Sequence, residues 1–556
     1  MKSRNRREFL RDGGLAAGGA VALGLSKTQF VLGAEAAGPE KIRGVMVDAG
    51  RVPERMEYYR RVVEFCSEWE LNALQFRLAD DQGSALRFTS VPGLLNHKNA
   101  FTPDELRGLA EYAKTHGVDL IPELESFGHT GYITRSAAYA HLLDRGSDPN
   151  EERDFTGVIP VDAETLELFK KLYGEVAEIF PSVYLHGGCD EVNWGGSAQS
   201  RKALQTKSRA QVWAEYLNSL HSVAKGLGKQ FIVWGDFVVH KEPEILGKLD
   251  KRIIVMDWNY GVNSSAKVRE TYLKLRANGS RGVGAPGLIN YRWGARAGTE
   301  QLRNIDAYAD AYMEPDDPNS LGVILTNWIP SRYIQDSLWD GFAYGAVAFQ
   351  EGTAVAQTSA FQRFAEKHYG ATWSEEWDEA FRLIYDFAPT VRDRATESWM
   401  GVQLIVPWGS DEELAAAARD TRAKQGPFVR VKELWESLKP SVRKNAADFQ
   451  AFGLCVEYLE GLYWRGGVVA GALEREPAAK LIKEIAERDA TMAKSLTEDW
   501  DKGRPDDSAA KSGPVFDLRL KDQMLYAWTR AAEYSASLAG EPERFYKLTQ
   551  TKGMAT

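Results

Sequence analysis

Short apolar runs rich in β-branched residues recur along the first 350 residues and alternate with longer amphipathic stretches. This alternation is typical of parallel strands joined by crossover helices. The candidate strands are Ile42–Val47, Ala73–Leu78, Asp119–Glu123, Val183–His186, Phe231–Trp234, Ile253–Trp258, Gly282–Ala285 and Val323–Asn327. These eight strand–helix units predict an α/β fold, a (β/α)8 TIM barrel, over residues 41–350.

Apolar positions between the strands follow the helical period. In one stretch they are Val212, Tyr216, Leu220 and Val223, which lie on one face of a helix. Gly226 and Gly228 then end that helix before the next strand. The segment Ser136–Pro160 shows neither the helical period nor the strand pattern, and it is predicted as a loop insertion over one end of the barrel.

The strand pattern stops at about Ala354, and residues 355–556 are predicted as an all-helical C-terminal domain. One of its helices carries an apolar stripe of Phe449, Phe452, Val456, Leu459 and Tyr463. A stripe of this kind is core in most proteins, so we expect packing there rather than a ligand site.

The first 36 residues have the pattern of a Tat-type signal peptide. The charged segment Arg6–Leu10 (RREFL) precedes the apolar stretch Gly13–Leu25, and Ala34–Ala36 offers a small-residue cleavage site. A membrane anchor is the alternative, but the apolar stretch is shorter than the roughly 20 residues that span a bilayer. We therefore expect export to the periplasm or the cell exterior.

The amino-acid composition limits the classes of partner that the protein is expected to bind. The net charge of −9 leaves no basic surplus for nucleic acid. The three cysteines, Cys66, Cys189 and Cys455, are too far apart in sequence to indicate a disulfide framework or a cysteine metal site. The sixteen tryptophans suit stacking on sugar rings, although most tryptophans simply fill a core.

Polar and aromatic residues follow every predicted strand. They are Asp48, Arg51, Asp80, Asp81, Gln82, Glu123, Glu125, His129, His186, Asp190, Glu191, Trp234, Asp236, Asp257, Trp258, Tyr291, Asn327 and Trp328. A lone Asp-Asp-Gln or Asp-x-x-Arg segment is more often a turn or a helix cap. Active sites of these barrels lie at the C-terminal strand ends, so the whole set predicts one enzyme site.

The adjacent acids Asp190 and Glu191 after the fourth strand carry the strongest signal. Gly187 and Gly188 before them allow a ligand to approach the backbone closely. Neighbouring side chains at a strand end diverge, so the two carboxyl groups can do different work. Glycosidic cleavage needs such a division, with one proton donor and one group that supports the nucleophile.

The segment Tyr184–Glu191 (YLHGGCDE) resembles the His-x-Gly-Gly-Asp-Glu motif of family 20 glycoside hydrolases, the β-N-acetylhexosaminidases. The resemblance implies removal of terminal β-linked N-acetylhexosamine with the substrate's 2-acetamido group as nucleophile. Asp190 then orients the acetamido group, and Glu191 is the general acid and base. This chemistry implies no metal and no cofactor, and the partner is a carbohydrate.

Further motifs extend the resemblance over about residues 41–350. Asp48–Arg51 resembles the family's Asp-x-x-Arg, Asp80–Gly83 its strand-two signature, and Pro122–His129 its Pro-Glu-Ile-Asp-x-x-Gly-His element. The substrate-binding residues implied are Arg51, Asp80, His129, His186, Trp234, Asp236, Trp258, Tyr291 and Trp328. Among these, the three tryptophans line the acetamido pocket, and Tyr291 is the candidate for the hydrogen bond to the acetamido oxygen.

Three positions depart from the family pattern, and one of them is Ser84, which follows Gly83 where an aromatic residue is common. Cys189 stands where glycine or alanine is usual, and Trp328 is followed by Ile329-Pro330 where Trp-x-Glu is common. Two other interpretations stay open. One is a metal-dependent barrel of the sugar-isomerase type that binds a divalent ion through carboxylates and histidines at the strand ends. The other is a carbohydrate-binding barrel without turnover.

Overall fold

The computed structural model describes residues 40–146, 157–261, 264–289, 297–387, 426–470 and 475–504. The predicted signal segment 1–36, part of the Ser136–Pro160 insertion and Tyr291 lie outside these residues.

Eight parallel strands form a closed barrel. They are β1 Ile42–Asp48, β2 Ala73–Arg77, β3 Asp119–Glu123, β4 Tyr184–His186, β5 Gln230–Trp234, β6 Ile254–Trp258, β7 Arg281–Ala285 and β8 Ser320–Asn327. Each strand pairs with the next, and β8 pairs with β1 to close the ring. The predicted barrel is confirmed, with strand limits that differ by at most three residues.

Closure depends on a glycine at the β1–β8 seam. Gly322 has a φ of 124°, and a Cβ atom there would lie 2.0 Å from the carbonyl oxygen of Ile42. Only glycine fits this approach, which lets β8 hydrogen-bond to β1.

Helices surround the barrel and bury apolar faces against it. In chain order they are Met56–Glu68, Pro103–Thr115, Ala163–Ile179, Arg209–Gly226, Ser265–Ala277, Thr299–Tyr312 and Trp339–Glu351. The helix Arg209–Gly226 begins at its cap residue Ser208, and Gly228 follows it with a φ of 75°, as the glycines predicted. Between β5 and β6 a π-helical turn, Asp236–Lys241, precedes a short 3-10 turn.

The described part of the C-terminal region is helical, as predicted. Its helices are Thr353–Lys367, Glu375–Phe387, residues 426–438, Ala446–Ala470 and Arg475–Gly503. Phe449, Phe452, Val456 and Leu459 are buried, so their stripe is core. Among the helices in the described residues, none combines the length and the apolar character of a membrane span.

Candidate active site

A cavity of about 110 Å³ opens at the C-terminal ends of the strands. Its walls are Arg51, Asp190, Glu191, Trp258, Tyr260, Trp328 and Ile329. Five of these seven residues are candidates from the sequence, drawn from the loops after β1, β4, β6 and β8. The barrel therefore brings distant parts of the chain to one site.

The loop after β4 holds the two acids in a tight backbone. Gly188, Cys189 and Glu191 have φ values of 65°, 76° and 48°, so two non-glycine residues occupy the left-handed region. Cys189 donates its backbone N–H to Oε2 of Glu125 at 2.9 Å. A Cβ atom at Gly188 would lie 2.1 Å from the same oxygen. The buried Cys189 side chain is not among the cavity walls, so this departure from the family pattern leaves the cavity unobstructed.

Asp190 presents an acceptor without a partner. Its Oδ1 atom is buried and receives no hydrogen bond from any residue in the described ranges. A buried, unpaired carboxylate oxygen is costly unless a ligand satisfies it. Asp190 itself lines the cavity, so a bound molecule can approach its carboxylate.

His129 links both acids to a second pair of carboxylates. Its Nε2 atom lies 3.3 Å from Oε2 of Glu191 and 3.7 Å from Oδ2 of Asp190, and its Nδ1 atom lies 3.1 Å from Oδ2 of Asp81. Burial disfavours the imidazolium, but the charges of Asp80 and Asp190 outweigh burial and raise the pKa of His129 well above its usual value.

The pKa values of His129 and Glu191 shift in directions that both favour a proton on the histidine in the free protein. Burial acts to raise the pKa of Glu191, but the hydrogen bond and charge of His129 prevail and lower it. Because the two groups are 3.3 Å apart, one proton can move between them.

Arg77 is a central site residue that the sequence analysis missed. It is fully buried on β2, and its guanidinium forms ion pairs with Asp80, Glu123 and Glu125, at 2.6 Å to Asp80 and 2.7 Å to Glu125. Its positive charge offsets part of the negative charge of the site. An arginine in a buried, mostly apolar strand needs partners, and that signal was present in the sequence.

Arg51 lies at the edge of this network and also lines the cavity. It pairs with Asp48 at 2.9 Å and with Asp80 at 3.1 Å, and its guanidinium lies 5.3 Å from the ring centroid of Trp328. These contacts fix the position of its guanidinium at the cavity wall.

Asp236 supports the loop that carries Glu191. Its Oδ2 atom accepts the backbone N–H of Glu191 at 3.2 Å and a hydrogen bond from Lys241 at 3.1 Å. Burial and the charge of Asp190 raise the pKa of Asp236 to about 6. Asp236 and Asp80 contact wall residues and are not themselves cavity walls.

The aromatic residues form two layers. Trp258, Tyr260 and Trp328 are cavity walls. Trp234 lies behind them, 5.5 Å from Trp328 between ring centroids, and donates its Nε1–H to Glu123 at 2.9 Å. His186 packs on Trp234, and burial lowers its pKa to about 4, so it is neutral at pH 7. Trp234 and His186 thus buttress the cavity from inside the barrel.

Tyr260 was not singled out from the sequence, although it lies only two residues beyond β6. Its ring stacks on Trp258 with centroids 5.1 Å apart, and its hydroxyl accepts the Nε1–H of Trp328 at 2.8 Å. It therefore holds two walls of the cavity at once.

We expect Tyr260→Phe to lower kcat/KM about tenfold, because the Trp328 ring loses its hydrogen bond to the Tyr260 hydroxyl and keeps only the longer one, to Oγ1 of Thr326 at 3.2 Å. The stacking on Trp258 remains. Steady-state kinetics and intrinsic tryptophan fluorescence check this. Tyr184→Phe, a change on a half-buried strand residue outside the cavity walls, is the control. Equal kcat/KM values for Tyr260→Phe and Tyr184→Phe would contradict the role of the Tyr260 hydroxyl in holding Trp328.

The family of the barrel follows from comparison with known sequences. Residues 41–289 match the family described as "Glycosyl hydrolase family 20, catalytic domain". This match identifies residues 41–289 as a family 20 glycosyl hydrolase catalytic domain. The match ends at Ile289, before β8, the strand after which the Trp328-Ile329-Pro330 departure occurs.

Individual relatives are distant. The mouse β-hexosaminidase subunit beta is 26% identical over 219 residues, which are 38% of this chain and 38% of the mouse protein. Human hexosaminidase D is 25% identical over 206 residues, 36% of this chain and 40% of the human protein. The chain thus spans about two fifths of the length of the curated relatives it matches.

Solved structures of the family are also similar. The family 20 exo-β-N-acetylglucosaminidase from Vibrio harveyi, solved with N-acetylglucosamine, aligns with a TM-score of 0.44 and 20% identity over 58% of this chain and 54% of that chain. The chitobiase of Flavobacterium johnsoniae aligns with a TM-score of 0.44 and 16% identity over 89% of this chain and 78% of that chain.

Proposed function

We propose that the protein removes terminal β-linked N-acetylhexosamine units from glycans by a retaining reaction in which the substrate's acetamido group is the nucleophile. The observation that carries this proposal is the buried, unpaired Oδ1 atom of Asp190 beside Glu191 in a cavity walled by aromatic rings. Membership of family 20 supports the same reaction.

In the first step Asp190 accepts the acetamido N–H and holds the acetamido oxygen towards the anomeric carbon. As that oxygen attacks, positive charge spreads over the acetamido group, and the carboxylate of Asp190 stabilises it. Glu191 donates a proton to the glycosidic oxygen, the bond to the leaving group breaks, and a cyclic oxazolinium ion forms.

In the second step Glu191 accepts a proton from water as the water attacks the anomeric carbon. The ring opens and the acetamido group is restored. Two inversions at one carbon give net retention. Trp258, Tyr260 and Trp328 exclude other water from the cavity, which protects the internal nucleophile and strengthens the hydrogen bond to Asp190.

His129 is the proton reservoir in this scheme. The His129–Glu191 pair holds one proton in the free protein, and transfer from Nε2 to Oε2 of Glu191 produces the acid form. Asp81 holds the imidazole ring from its other side. The pair therefore retains its proton at a pH where an isolated carboxylic acid has lost it.

We expect His129→Gln to move the basic limb of the kcat/KM profile to lower pH by about one unit or more. The sign follows from the pKa values: His129 has a raised pKa and keeps the proton in the wild type, whereas Glu191 alone must keep it in the variant. A pH profile of kcat/KM measures this, and an unmoved basic limb would contradict the reservoir role.

The direct test is hydrolysis of 4-nitrophenyl β-N-acetylglucosaminide and β-N-acetylgalactosaminide by the purified protein. The matched control is 4-nitrophenyl β-glucoside, which differs from the N-acetylglucosaminide only at C2 and lacks the internal nucleophile. We expect turnover of the acetamido substrates alone. Equal turnover of the glucoside would refute the assisted mechanism.

A metal-dependent sugar isomerase is the second candidate, because ligand atoms of His129, Asp190 and Glu191 lie within 4.8 Å of one another, as do those of Asp80, Asp81 and His129. Dialysis against a chelator distinguishes the two functions. Hydrolysis that survives chelation supports the hydrolase, and ketose formation restored only by a divalent ion supports the isomerase.

A further inference from the structure

Two loops supply three of the seven cavity walls. The loop after β1, residues 49–55, carries Arg51, and the loop after β8, residues 328–338, carries Trp328 and Ile329. Close to the cavity, the backbone N–H of Ile329 donates to Oδ2 of Asp48, the last residue of β1, at 3.1 Å. Ile329 has a φ of 58°, so it holds a conformation that a β-branched residue rarely adopts unaided.

Farther from the cavity, an arginine from the C-terminal region joins the same two loops. Arg504 follows the helix Arg475–Gly503, and its Nε atom lies 3.0 Å from each carboxylate oxygen of Glu54 in the first loop. The same guanidinium donates to the carbonyl oxygen of Tyr333 in the second loop at 3.2 Å. We call this set of contacts the Arg504 bridge.

The bridge is buried and closely packed. Arg504 is 2% exposed and Glu54 is 3% exposed. Gln335 donates to Oε2 of Glu54 at 2.8 Å, so the carboxylate is held by both the second loop and the C-terminal helix. The ring of Trp500 lies beneath the guanidinium, with its centroid 4.4 Å away.

The backbone at the helix end is held as well. Arg55 of the first loop donates to the carbonyl oxygen of Arg504 at 3.1 Å. A Cβ atom at Gly503 would lie 2.5 Å from Oε1 of Gln335, so glycine permits the close approach of helix and loop. Both loops therefore meet the end of the same helix.

Burying an ion pair contributes little net stability, because loss of hydration offsets the attraction between the charges. Its effect is geometric: a planar guanidinium with several donors holds its partners at set distances and angles. In this chain the partners belong to the two loops that carry Arg51, Trp328 and Ile329.

We propose that Arg504 is a positioning residue for the active site, which acts by holding the loops after β1 and β8 in register through Glu54 and Tyr333. The helical C-terminal region then helps to build the sugar-binding cavity without touching the substrate. This inference rests on the proposed function for the identity of the ligand. The contacts of the bridge do not depend on that function.

The test compares Arg504→Gln with the full-length wild type in two measurements. We expect faster amide hydrogen exchange in residues 49–55 and 328–338, with unchanged exchange in the β4 loop that carries Asp190. We also expect KM for 4-nitrophenyl β-N-acetylglucosaminide to rise about tenfold and kcat to change by less than about threefold, because the acids stay in place. The control is Lys494→Gln, an exposed position on the same helix.

A second variant controls for misfolding of Arg504→Gln. Arg504→Gln leaves Glu54 without its charged partner, whereas Glu54→Gln with Arg504→Met removes both charges and leaves no unpaired buried ion. We expect the double variant to show the same faster amide hydrogen exchange in both loops and the same rise in KM as Arg504→Gln. Unchanged exchange in both loops, or a wild-type KM in the double variant, would overturn the positioning role. If the wild type hydrolyses no hexosaminide, the proposed function fails, and hydrogen exchange still decides whether the bridge holds the loops.

Discussion

Replacing Asp190 by asparagine is expected to lower kcat/KM for aryl N-acetylglucosaminides by about three orders of magnitude. Losses of this size follow when a group that stabilises charge in a transition state is removed. Asp190 lines the cavity, and its buried Oδ1 atom has no hydrogen-bond partner among the described residues. An asparagine oxygen is neutral and cannot stabilise the positive charge that develops on the acetamido group. The effect should fall mainly on kcat, because the charge develops after binding.

Steady-state kinetics measure this loss, and Asp104→Asn serves as the control because Asp104 is highly exposed at a helix start. A second measurement varies the substrate. Successive fluorine atoms on the acetamido methyl weaken its oxygen as a nucleophile, so kcat of the wild type should fall with each one. A rate insensitive to fluorine, or an Asp190→Asn variant as active as the wild type, excludes the internal nucleophile.

Replacing Glu191 by glutamine is expected to cost about 10²–10⁴ in kcat/KM for substrates with poor leaving groups, the usual contribution of a general acid. Glutamine keeps the size of the side chain but has no acidic proton. A leaving group of low pKa, such as 2,4-dinitrophenolate, departs without protonation, so its first step should be almost unaffected. The size of the loss should therefore increase with the pKa of the leaving group.

Adding azide as an external nucleophile distinguishes the proposed base role of Glu191 from its proposed acid role. Azide is an anion at neutral pH and attacks the oxazolinium without a general base, so it should accelerate Glu191→Gln with a dinitrophenyl substrate and yield the β-glycosyl azide. The matched control is Glu178→Gln, at an exposed position on the helix Ala163–Ile179. A loss independent of the leaving group would assign the acid to another residue.

The barrel could be predicted because each strand is buried on both faces and so appears as a short β-branched run. The eight residues of β8, for example, are all buried. The positions of Asp190, Glu191, Trp258 and Trp328 at the cavity also follow from the sequence, since the C-terminal ends of parallel strands meet at one face of a barrel. These features depend on local pattern and on chain direction alone.

Other features depended on contacts between distant segments. The sequence placed Trp234 and His186 at the rim with the other candidates, whereas the structure places them behind Trp328 and among buried side chains. Arg77 stood within a mostly apolar strand, and three of its four carboxylate neighbours, Asp48, Glu123 and Glu125, became visible only once β1, β2 and β3 lay side by side.

The sequence by itself determined the order of strands and helices, the face at which the site lies and the two adjacent acids. The tertiary structure decided which side chains line the cavity, which hold those side chains from behind and how Arg504 meets Glu54 across 450 positions of sequence. The physical reason is that the period of hydrophobic residues indicates only which face of a helix or strand is buried. The partners of a side chain depend on strand order, barrel closure and loop geometry.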